Sequence, residues 1–137
     1  MTGLRRNRSE RGVAMVEAGL VLPIVFMLFF GFIQFALILG AFNSAAYGCR
    51  QATRYAIVHG STAPAPCTAA QLQNIVKANS LMAAAATVSV PSPVWTPDNT
   101  PGSSVTVSAT LTFNLAIPFV KIHLFTVTTS STMDIVQ

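Results

Sequence analysis

Between Val13 and Phe42 lie thirty residues of which 24 are apolar, and no charge follows Glu17 until Arg50. A helix of about 20 apolar residues spans the hydrocarbon core of a bilayer, so this run is long enough with some to spare. A cleavable secretory signal carries an apolar region of only about 7–15 residues, which favours an uncleaved signal-anchor over release by a late cut near Ala45–Ala46. The chain has 137 residues in all, which leaves one small domain outside the span. Only 9% of residues are charged, against roughly a quarter in soluble domains, and the mean hydropathy is +0.57. Such a chain is too apolar for a cytosolic enzyme and fits a membrane segment joined to a small folded part.

The formal net charge of +4 invites a nucleic-acid reading until the charges are located. Arg5, Arg6, Arg8 and Arg11 fall in the first twelve residues, with Glu10 the one acid among them. The remaining bases, Arg50, Arg54, Lys77 and Lys121, are scattered and form no basic stripe or known module. Basic residues just before an apolar run instead hold the amino terminus in the cytoplasm and send the rest across. The expected division is a basic leader at 1–12, a transmembrane helix at 13–42 and an extracytoplasmic domain at 43–137.

Glu17 stands out, because a carboxylate inside a membrane segment costs a few kcal/mol or more unless it is paired. It lies five residues into the run, so snorkelling to the headgroups is the plainer alternative. Its setting is Arg11-Gly12-Val13-Ala14-Met15-Val16-Glu17: a basic leader, a glycine, four apolar residues and a glutamate. This resembles a class III signal of the type IV pilin kind. The longer stretch Arg-Gly-Val-Ala-Met-Val-Glu-Ala-Gly-Leu-Val-Leu-Pro-Ile-Val, from Arg11 to Val25, resembles the amino terminus of the TadE-like family, the minor pseudopilins of tight-adherence (Tad) pilus systems. The likeness continues through Arg50-Gln-Ala-Thr-Arg-Tyr-Ala. Val13 departs from the phenylalanine usual in major type IV pilins, and Ala18 from the aromatic common in Tad-type pilins.

The resemblance implies that a membrane prepilin peptidase cuts between Gly12 and Val13, making Glu17 the fifth residue of the mature chain. It implies that Glu17 is the assembly carboxylate, pairing with the new amino terminus of a neighbouring subunit. The implied partners are the peptidase, other pilins and pseudopilins, the pilus assembly machinery and membrane lipid. The implied place is the bacterial inner membrane, single-pass, with the carboxyl-terminal domain periplasmic and incorporation into an extracellular pilus an open question.

Past Phe42 the pattern predicts a continuation of the same helix, from about Ala14 to His59, with Ala45, Ala46, Cys49, Ala52, Thr53 and Ala56 on one face and Gly60 after its end. Pro23 is expected to kink it. Thr68 and Gln71 form a capping-box pattern before a second amphipathic helix at about Ala69–Ala84. Pro91–Gly102 reads as a loop around Trp95, and Ala116–Leu124, which holds Pro118, as a hairpin loop. From Val105 to Leu115 every odd residue is apolar and every even one is Thr, Ser or Asn. Strict alternation marks a strand with one buried face. The pattern returns more weakly at Phe125, Val127, Met133 and Ile135, and Val88–Val90 supplies a third strand. The fold class is therefore α+β: a long amino-terminal pilin-like helix, a second helix and an antiparallel sheet of about three strands.

Cys49 and Cys67 fall beyond the span, where an even count in an oxidising compartment suggests a disulfide worth about 3 kcal/mol; two separate buried thiols are the alternative. These cysteines with His59 and His123 show no metal-ligand spacing, so no metal or cofactor is expected. Past Glu17 the acids are Asp98 and Asp134, and no nucleophile elbow, phosphate loop or dinucleotide fingerprint occurs, so no catalytic residue is expected. Two functions compete: a minor pseudopilin of a Tad-type pilus, and an uncleaved, signal-anchored periplasmic binding or scaffold module.

Overall fold

The computed structural model describes residues 8–80, 86–114 and 124–136. The predicted hairpin loop, Lys121, His123 and the last residues of the predicted second helix lie outside the described residues, as do Arg5 and Arg6 of the leader. Helix α1 runs from Arg8 to Ile57, six residues earlier at its start and two at its end than the pattern predicts. Its last turn is closed by the His59 N–H donating to the Ala56 carbonyl at 3.2 Å. Pro23 sits inside the helix without ending it. Its ring bears on the residue four places back, which here is Gly19, with open space where a Cβ would stand. At about 1.5 Å per residue the helix is a rod of about 75 Å.

Helix α2 covers Ala69–Asn79, and its start obeys the predicted capping box. The Gln71 N–H donates to Thr68 Oγ1 at 3.3 Å, and the Thr68 N–H to Gln71 Oε1 at 2.9 Å. Its end is capped by Ser80, whose hydroxyl donates to the Val76 carbonyl at 2.7 Å. Leu72 and Val76 are fully buried against α1.

Four strands follow: β1 (Ala86–Ser89), β2 (Val94–Thr96), β3 (Ser104–Phe113) and β4 (Phe125–Asp134). β3 is central. β4 pairs with it antiparallel over all ten residues, from Ser104 opposite Asp134 to Phe113 opposite Phe125. β1 and β2 share its other side, β1 against Thr110–Phe113 and β2 against Ser104–Thr106. The register moves by one residue between β1 and β2, so they are one edge strand broken at Val90–Pro93. Pro91 and Pro93 have no N–H to give a ladder, which explains the break. β2 falls inside the expected Pro91–Gly102 loop, so the sheet has four strands where about three were expected.

The buried face of β3 is Val105, Val107, Ala109, Leu111 and Phe113, every one of the odd residues the alternation marked there. It lies under α1, whose buried stripe is Ala41, Ala45, Cys49, Ala52 and Ala56, each fully buried. Small residues at spacings of three and four let the helix axis come close to the sheet. Thr53, also fully buried, donates to the Cys49 carbonyl at 2.7 Å and reaches the Ser131 carbonyl at 3.4 Å. At the far end, the Val136 N–H donates to the Ile57 carbonyl at 3.0 Å. Ten strand residues and the twenty helix residues from Ile38 to Ile57 each span about 30 Å, so the sheet lies along the outer part of α1.

Candidate functional site

Below Ile38 no described residue of the helix is buried. Its apolar side chains stand exposed: Val16, Leu20, Ile24, Phe29, Phe32 and Phe35 among them. An apolar surface of this extent is untenable in water and marks a membrane or protein contact. From Gly12 to Ile57 α1 is long and apolar enough to cross a bilayer, and its most apolar stretch is wholly unburied. It is the one such helix among the described residues, which fits single-pass anchoring.

The predicted processing residues gather at the start of this belt. Gly12, Val16 and Leu20 form one row at intervals of four, and Val13 and Glu17 the row beside it, so the five share one face and line a shallow open concavity. A Cβ on Gly12 would meet nothing within 4 Å, and Val13 is exposed. The structure thus brings Gly12, Val13 and Glu17 onto one accessible surface. Glu17 is exposed on the single chain, and no described residue pairs with its carboxylate. The surface is not presented as a scissile peptide, however. α1 begins at Arg8, so the Gly12 carbonyl lies within helical structure and is directed at the N–H of Val16. A cut after Gly12 would require the helix to open there, and a glycine, about 1 kcal/mol less favourable than alanine in a helix, eases such an opening.

Cys49 and Cys67 are not joined; both are free, buried thiols. The packing of the two helices explains the correction. The Cys67 N–H donates to the His59 carbonyl at 2.9 Å, which fixes Cys67 beside the end of α1. Cys49 stands ten residues lower on that helix, about 15 Å along its axis. A disulfide needs Cα atoms within about 7 Å. α2 runs back down from Cys67, so Val76, and not Cys67, comes level with Gly48. Burial pushes the Cys67 thiol above its ordinary pKa, which disfavours the thiolate.

Among the other titratable groups, His59 stacks on Tyr55 with ring centroids 4.0 Å apart, and its Nδ1 lies 2.9 Å from the Tyr55 carbonyl. Asp98 organises the turn before β3. Its carboxylate accepts from the Thr100 hydroxyl, from the Ser103 hydroxyl at 2.7 Å and from the Thr100 N–H at 3.1 Å. These bonds, the Thr100 hydroxyl foremost, hold its pKa below the usual carboxylate value. Arg50 and Arg54, four residues apart on α1, are both exposed.

Sequence reasoning missed two features. One is Gly48, where α1 and α2 approach so closely that a Cβ would stand 3.0 Å from the Val76 carbonyl oxygen. A glycine among alanines on a buried helical face was the available signal. The other is an apolar cavity between α1 and the start of β4, which no sequence pattern announces.

No curated protein and no solved structure matches the chain. A family model does match: TadE-like protein, over residues 12–54. The match opens at Gly12, takes in Val13 and Glu17, and ends at Arg54 inside the folded domain. Residues 12–54 are therefore similar to the TadE-like family, to which the Arg11–Val25 motif pointed.

Proposed function

We propose that the chain is a minor pseudopilin that serves a Tad-type pilus, processed by prepilin peptidase between Gly12 and Val13. The observation that carries this reading is that the family match opens at Gly12, where the basic leader gives way to the apolar run. In this reading the chain catalyses nothing; the peptidase acts upon it. The leader holds the amino terminus in the cytoplasm, the helix stays in the inner membrane and the α+β domain stands on the periplasmic side.

After the cut, the new amine of Val13 supplies what the Glu17 carboxylate of a neighbour needs. A charge in a low-dielectric setting is tolerable when an opposite charge and hydrogen bonds meet it. Before the cut that amine does not exist, so processing licenses assembly with other pilins and pseudopilins and the pilus machinery.

Co-expression with the matching peptidase, followed by intact mass and amino-terminal sequencing, tests the reading. A mature chain beginning at Val13 supports it, and retention of Met1–Gly12 overturns it. Glu17→Gln tests the pairing separately: cleavage should continue while incorporation into the assembly system is lost. The continuity of α1 through Gly12 favours a second reading, an uncleaved signal-anchored scaffold module, which predicts the uncut mass in the same experiment.

A further inference from the structure

A cavity of about 420 Å³ lies where α1 passes from its bare belt to the sheet. Its walls are Phe35, Ile38, Leu39 and Phe42 of α1 and Phe125 and Val127 of β4. All six are apolar, so water there would lack the two to four polar partners that a buried water needs. The cavity is open on the side of the belt: Phe35 is 65% exposed and Leu39 50%, and Leu28 and Phe32 continue the same face downward at intervals of three and four. Phe125 and its cross-strand partner Phe113 stand at this lower end of the sheet.

We propose that this cavity seats one acyl chain of a phospholipid from the leaflet beside the folded domain. Its walls continue the surface that single-pass anchoring gives to lipid, and all six lining residues are apolar, so a tail can enter without leaving hydrocarbon. A polar ligand would give up its hydrogen bonds on entering. The helix of a second copy, about 10–12 Å across and rising 5.4 Å per turn, would exceed the space within about one turn. A slender flexible chain fits where a helix does not. Seated so, the tail fills the wedge between α1 and β4 and holds the domain down on the bilayer surface.

The inference rests on the membrane reading of α1, and single-tryptophan variants of the full chain separate the two. The background is Trp95→Phe, a mild change because the buried Trp95 Nε1 has no hydrogen-bond partner among the described residues. The variants are reconstituted in phosphatidylcholine vesicles whose acyl chains carry bromine, which quenches tryptophan on contact. Phe26→Trp reports the span, Phe125→Trp and Phe42→Trp report opposite walls of the cavity, and Val58→Trp reports the far end of α1. Circular dichroism checks that each is folded, and the two walls are independent in case one variant is not. The expected result is at least a twofold loss of fluorescence at positions 26, 42 and 125 and none at 58. Quenching at 26 without quenching at 125 and 42 overturns the acyl seat alone. Shielding of 125 and 42 from both bromine and aqueous acrylamide means that protein fills the cavity, and overturns it too. No quenching at 26 removes the membrane reading, and the seat with it.

Discussion

Replacing Gly48 by alanine sets two opposed effects against each other at one position. Alanine is worth about 1 kcal/mol over glycine in a helix interior, which favours the variant. Against this, the new Cβ would stand 3.0 Å from the Val76 carbonyl oxygen, 3.3 Å from the Val76 Cα and 3.4 Å from the Asn79 Cβ. Two of the three atoms are backbone of α2 and cannot rotate aside. α2 itself is pinned by Leu72 and Val76, both fully buried, and by the capping box at Thr68. Relief therefore means moving a packed helix by a few tenths of an ångström, and overpacking of this kind costs about 1–3 kcal/mol. The net expectation is a loss of about 1 kcal/mol, or a fall in Tm of about 4–8 °C for a domain of this size. Gly48→Leu, which cannot be relieved by a small shift, should cost about 3 kcal/mol or more. Thermal unfolding of the full chain in detergent, followed by Trp95 fluorescence, reads the domain without the bare helix. Gly19→Ala and Gly31→Ala, where a Cβ meets nothing, serve as controls that leave the domain's Tm unchanged. If Gly48→Ala melted at or above the native temperature, the close approach of the helices would be refuted.

Thr68→Ala removes the hydroxyl half of the capping box and should cost about 1 kcal/mol in chemical denaturation, whereas Thr68→Ser should cost only a few tenths. Asp98 contributes to stability with a definite pH sign. Its folded pKa lies below the unfolded value of about 3.9, so its contribution is present above that value and fades as pH falls through the folded one. The native domain should therefore lose more stability than Asp98→Asn between about pH 5 and pH 2, and parallel acid titrations of the two would contradict this. Thiol titration should find both cysteines unreactive in the folded chain and both free after unfolding, with no change in electrophoretic mobility on reduction.

Local chemistry was legible in the sequence where one residue type answers one physical demand. The alternation along β3 and the Thr68–Gln71 box were so, and the structure holds both in place. The motif around Gly12 and Glu17 led to the family that residues 12–54 match. Features that depend on how elements lie against one another were hidden. The expected disulfide rested on cysteine count and compartment, whereas the distance that matters is set by helix rise and by the direction of α2. β2 was hidden by its prolines, because a three-residue strand between Pro93 and Pro97 carries no alternation of its own. Thr129 and Ser131 interrupt the apolar pattern of β4 yet lie on its inner face. They sit in register with Ala109 and Val107, on the face where α1 offers small side chains.

β1, β2 and β4 all run antiparallel to β3 and therefore share one direction. Copies of this chain inserted the same way in one membrane offer one another edges that point alike. Two neighbours can then meet strand to strand only in parallel, where the hydrogen bonds are slanted and the pairing is less stable per residue. An antiparallel ladder cannot run from molecule to molecule while both remain anchored, whatever residues occupy the edges. Strand-to-strand growth between anchored copies is thereby confined to the parallel ladder, the less stable of the two per residue.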